Sequence, residues 1–198
     1  MRCGHLRAIA LTLTLFPSAA FAHPGAGYTH DFEPGLAHPF AGADHILALV
    51  TVGIFAWQLG GRAVWLIPAT FVLLMGAGGA LATAGTALPS VEIGIAASVI
   101  VLGALVGFKV PAPLAIAAGT IAMFAIFHGH AHGSEMPIDL SAVAYTAGFM
   151  LATALLHGIG IALGFATSRI GEHHGRLAYA LGGGTVALAG LGILAHAI

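Results

Sequence analysis

FHGHAHGSE, residues 127–135, packs three histidines and a glutamate into nine positions, at the end of a stretch from Leu114 to Ile126 that is otherwise apolar or small. A second group, HPFAGADH at 38–45, holds two histidines and an aspartate. Neutral imidazole with carboxylate suits a borderline divalent ion such as Ni, Co or Zn, and histidine can also relay protons. At helical period, His128, His132 and Glu135 form one stripe, with His130 on the opposite side. On the same reckoning His38 and His45 lie two turns apart on nearly one face, with Asp44 about 100° round from His45. Two imidazoles a turn apart can grip one ion, and the carboxylates offset its charge. Asp44 is either a ligand or a partner that orients a histidine from behind. The single cysteine, Cys3, and the scarcity of methionine argue against a Cu(I) path.

The elements that must position these groups are membrane spans. Of 198 residues, 59% are hydrophobic and 7% charged, against about 25% charged in a soluble domain. The formal net charge of −1 gives no indication of a nucleic-acid partner. Residues 1–22 read as a secretory signal: Arg2 and Arg7, an apolar middle, then an A-x-A site at Ala20-Phe21-Ala22. Cleavage there removes Cys3 and starts the mature chain at His23. Six segments are apolar enough to cross a bilayer: 38–59, 63–84, 90–107, 112–133, 140–166 and 177–197. Small-xxx-small spacings such as Gly103/Gly107 and Gly160/Gly164 let helix backbones approach closely.

The expected fold is thus an all-α integral membrane protein: a signal peptide (1–22), a periplasmic arm (23–37) and a six-helix transmembrane domain (38–198), with a periplasmic N-terminus. With His23 outside, Arg62, Lys109, Arg169 and Arg176 all fall in cytoplasmic loops, while Asp31, Glu33, Glu135 and Asp139 fall outside, as the positive-inside rule requires. The membrane is then the bacterial inner membrane. His38, Asp44 and His45 of the first span, Glu92 in the first turn of the third, and His128, His132 and Glu135 of the fourth fall at similar heights in its outer half. Ionisable groups at such depth are costly and tend to serve a site.

Other histidines read differently. His130 and His196 read as packing residues. His157, alone in the fifth span, reads as a hydrogen-bonded packing residue or as a stop on an inward path. His173 and His174 lie beside Glu172 in a cytoplasmic loop and read as solvated. His23, with its terminal amine, is a candidate for metal delivery, although Pro24 prevents the next amide from serving as a ligand. An intramembrane metallohydrolase is disfavoured, because the H-E-x-x-H pattern has Gly129 in place of its glutamate. A metal-sensing or assembly protein without transport stays open.

HPFAGADH and FHGHAHGSE, with PSVEIGIAASV at 89–99, resemble the HupE/UreJ family of nickel and cobalt permeases over essentially the whole mature chain. The resemblance implies that His38, Asp44, His45, Glu92, His128, His132 and Glu135 handle metal. It implies import of Ni²⁺, and of Co²⁺ in some members, for hydrogenase, urease or cobalamin, with metallochaperones of hydrogenase or urease downstream and a homo-oligomer left open. The ion is cargo; no prosthetic group is expected. One departure is Leu49, where the family pattern commonly has methionine.

Overall fold

Long runs of Ala, Leu, Ile and Val can satisfy their backbone in hydrocarbon by forming helix, and helix is what the computed structural model contains. It describes residues 31–136 and 141–198, and no strand occurs among them. The signal segment, His23 and the rest of the arm up to residue 30 lie outside the described residues. The helices are α1 (Phe32–Ala37), α2 (Ala43–Leu59), α3 (Ala63–Thr83), α4 (Val91–Gly107), α5 (Leu114–Glu135), α6 (Ala142–Arg169) and α7 (Glu172–Ala197), with a 3-10 turn at His38–Phe40. Four helices, α3, α5, α6 and α7, are long and apolar enough to cross a membrane. A fifth crossing forms if α1, the turn and α2 are one broken span, bent by 82°. The apolar α4, at 17 residues, covers about 25 Å, less than the ~30 Å of a typical hydrocarbon core.

That bend changes the first expected span. His38 and His45 do not share one straight helix: Gly42 adopts extended backbone (φ −106°, ψ 129°) immediately before α2. Phe32–Phe40 lies instead against α6. Gly35 meets the backbone of Tyr145, Gly148 meets that of Phe32, and Asp31 Oδ2 accepts from the Ser141 N–H at 2.8 Å. At the far end of α2, Gly60 and Gly61 take positive φ (69° and 53°) and turn the chain into α3.

Glycine also governs how the long helices pair. Gly53 of α2 lies on the backbone of His157 and Gly160 in α6, and Gly160 lies in turn on Val50 and Gly53. Gly103 of α4 and Gly183 of α7 meet in the same reciprocal way. Gly129 and Gly133 of α5 rest on the backbone of Met75 and Gly79 in α3. The expected Gly103/Gly107 and Gly160/Gly164 spacings are therefore real contact surfaces, of the kind that drives helix association where hydrophobicity cannot.

Polarity is inverted relative to a soluble protein. Trp65, Phe108, Val143 and Leu188 are exposed, while His128, His157, Ser98 and Thr153 are buried, as expected of a chain whose solvent is lipid. Lys109, Glu172 and Arg176 gather with Gln58, Trp57 and Tyr179 around a cavity at one end of the bundle, whereas His38 and Glu135 meet towards the other.

The glycine contacts give a direct test. In Gly129→Ala the new methyl meets the Met75 backbone, and overpacking should cost about 1–3 kcal/mol. Gly119 has open space around it, so Gly119→Ala should be neutral or stabilising by up to about 1 kcal/mol. Thermal unfolding of the detergent-solubilised variants should show a lowered midpoint for the first and none for the second.

Candidate metal centre

Four imidazoles converge because three separate features of the chain aim them. On α5, His128 and His132 are one turn apart and both buried, at 1% and 4% exposure, on the face predicted by period. On α2, His45 stands in the first turn after the break. A side chain at Gly42 would collide with Asp44 Oδ1 and His45 Nδ1, so glycine there makes room for that pair. The 3-10 turn brings His38 in from the side, its ring centroid 6.3 Å from that of His45 and 4.7 Å from that of His132.

Hydrogen bonds decide which ring nitrogens are free. Asp44 Oδ1 lies 2.9 Å from His45 Nδ1. An ionised carboxylate can only accept, so Nδ1 carries the hydrogen and Nε2, buried and unpartnered, keeps its lone pair. Carboxylate behind imidazole is the usual way of fixing a metal-ligating histidine. Ser98 does the same for His128. Its hydroxyl donates to the Ile95 carbonyl at 2.6 Å, so at the 2.9 Å contact with His128 Nε2 it accepts. His128 Nδ1 is thereby left with a lone pair and no partner. Both nitrogens of His132 are unpartnered, and its ring is braced by Phe149 at 4.1 Å between centroids.

The donors fall into two groups that share His132. One is His45, His128 and His132; the other is His38, His132 and Glu135; within each, the donor atoms lie within 4.8 Å of one another. In the first, His128 and His132 are buried and His45 is half-buried, while the second opens outward through Glu135, which is 57% exposed. Nitrogens at about 2.0–2.1 Å from one ion would stand roughly 3.5 Å apart, so small side-chain movements would close either group on a cation. His132 also lines a cavity of about 440 Å³ between α3, α5 and α6, bordered by Met75, Met136, Val143 and Met150.

Asp44 touches His45 rather than standing as an independent donor in either group. Glu92 is exposed in the first turn of α4 and in neither group. His23 lies outside the described residues. His130 points away, its Nε2–H donating to the Thr86 carbonyl at 2.7 Å, and His173, His174 and His196 are exposed. His157 is fully buried, yet neither ring nitrogen has a hydrogen-bond partner among the described residues, so the packing role expected of it lacks its hydrogen bond. Leu49 is core. Sequence reasoning missed Ser98, although it is the only hydroxyl residue in α4.

A helical bundle with apolar exterior and an interior set of oriented imidazoles has the form of a multi-pass membrane protein, with donors placed so that they could hold a metal ion. The family model described as HupE / UreJ protein matches residues 11–193, and the chain belongs to that family. It is similar to the protein HupE of Rhizobium leguminosarum bv. viciae, 47% identical over 184 residues, covering 93% of this chain and 94% of the relative. No solved structure matches.

His132→Ala removes the donor common to both groups and should weaken Ni²⁺ binding by about tenfold or more, and Asp44→Asn by about 10–100-fold through loss of His45 orientation. His130→Ala should leave affinity nearly unchanged. Calorimetric titration of the full chain in nanodiscs checks this; equal losses for His130→Ala and His132→Ala would refute the grouping.

Proposed function

We propose that this chain is a permease that carries Ni²⁺, and Co²⁺ as a second substrate, from the periplasm to the cytoplasm across the bacterial inner membrane. The family is associated with nickel and cobalt transport and is of transporter rather than enzyme type. The observation that carries the reading is the sharing of His132 between an exposed and a buried set of donors. An ion held by His38, His132 and Glu135 can exchange ligands one at a time for His45 and His128. It need not be stripped of all ligands at once, which keeps the barrier low.

In this reading the 3-10 turn with α2 (residues 38–59) and the short α4 complete six spans with α3, α5, α6 and α7. The signal is cleaved after Ala22, residues 23–37 form a periplasmic arm, and 38–198 form the permease domain. The gathering of basic residues at the end remote from His38 supports this orientation. His23 would add a mobile donor at the mouth, and Glu92, at the start of α4, would add negative charge on the periplasmic side. The membrane potential suffices as driving force: a dication gains ~4.6 kcal/mol on moving inward through 100 mV, twice the single-charge figure. Preference among Ni, Co and Zn would come from donor geometry rather than raw affinity. Metallochaperones would receive the ion.

Cellular nickel and cobalt, measured by elemental mass spectrometry in a host without its own high-affinity importers, should rise with the intact chain. It should not rise with His45→Ala or His132→Ala at matched membrane expression. Binding in nanodiscs without any rise in cellular metal would turn the reading to a metal-binding protein that does not transport.

A further inference from the structure

Buried side-chain polar atoms without partners are concentrated in this bundle. Apart from one nitrogen of His130, those among the described residues are His45 Nε2, His128 Nδ1, both nitrogens of His132, both nitrogens of His157 and Oε1 of Gln58. The first four atoms belong to the centre already described. The last three lie on α6 and α2 further from the mouth, where the sequence left His157 between a packing residue and a stop on an inward path.

His157 is 1% exposed and stands two turns beyond Phe149, the ring that braces His132, or about 12 Å along α6. Phe71, fully buried, links the levels: its ring centroid is 5.6 Å from that of His128 and 5.2 Å from that of His157. One turn outward on the same face of α6, Thr153 directs its hydroxyl at Met75 Sδ, 3.6 Å away. A hydroxyl and a thioether therefore stand one turn outward of this imidazole, between it and the outer centre. Inward, Gln58 donates Nε2–H to the Val106 carbonyl at 3.1 Å, which leaves its buried Oε1 free. Gln58 borders the cavity of about 370 Å³ at the basic end of the bundle. A leucine or phenylalanine at 157 would fill the space without burying two unpaired polar atoms, which is destabilising in hydrocarbon. Packing alone does not account for a histidine there.

Resting on the permease reading, we propose that His157 is a second, inner station for the same divalent transition-metal ion, reached from His128 past the Phe71 ring and discharging towards Gln58. A single imidazole supplemented by weak donors suits a stop that must also let go. The outer centre captures; His157 holds the ion briefly between the capture site and the cytoplasmic-side cavity.

The full chain reconstituted in liposomes, with Ni²⁺ influx read by an entrapped chelating dye, tests this alongside equilibrium Ni²⁺ binding in nanodiscs. His157→Leu and His157→Gln should bind Ni²⁺ at the outer centre with nearly unchanged affinity, yet lose influx by about tenfold or more. His157→Cys, which restores a metal donor, should recover influx above either. Should His157→Leu fail to fold, the Gln and Cys variants decide. Influx at the intact rate by His157→Leu or His157→Gln overturns the proposal; in the glutamine case a polar packing role would be enough. Absence of influx by the intact chain overturns the permease reading, and this one with it.

Discussion

Helices that cross at glycine approach until backbone meets backbone, and in this chain the spacing of the bundle follows from such crossings. At Gly53–Gly160 and at Gly129–Met75 the approach is so close that even a methyl group has no room. In lipid there is no hydrophobic gain from joining one apolar helix to another, so close packing must supply the cohesion. It also sets reach. An imidazole extends only a few ångströms from its backbone, and donors from α2, α5 and the turn before α2 converge because the helices carrying them are held close. Bulkier crossings would spread the donors beyond the grasp of one ion.

Within that frame the chain treats its imidazoles selectively. His45 and His128 each have one nitrogen engaged, by Asp44 and Ser98, and one left open. A ring fixed in this way has already lost most of its rotational freedom, so a cation meets donors that need little reordering. An opposing effect would keep a grip on such a cation moderate. The α2 N-terminus, with its partial positive charge, begins at Ala43 beside the centre, and Asp44 in that first turn offsets it. Strong orientation with only partial charge compensation suits an ion in transit better than one held permanently.

The parts of this arrangement legible in sequence were those governed by period. His128 and His132 share a face and His130 opposes them because 3.6 residues make a turn, whatever surrounds the helix. The glycine spacings marked contact surfaces for the same reason. HPFAGADH was harder: its two histidines are in phase for a continuous helix, but Gly42 breaks that helix, so His38 reaches the centre from the side rather than from above His45. The role of Ser98 depends on which residue α4 presents to α5, and the lack of partners around His157 depends on what α3 and α2 bring to it. Neither is written in local pattern.

The cavity beside His132 extends beyond the metal donors to Val143, Ala147 and Met150, on an α6 surface where Val143 and Ala147 are exposed. The cavity thus leads from His132 to the outer face of α6. In a bilayer, acyl chains along that side would form the remaining wall, so the dielectric that an ion beside His132 would feel would be set partly by lipid. The membrane would then act as a component of the coordination environment, and a detergent whose tails pack differently from acyl chains would substitute one wall for another.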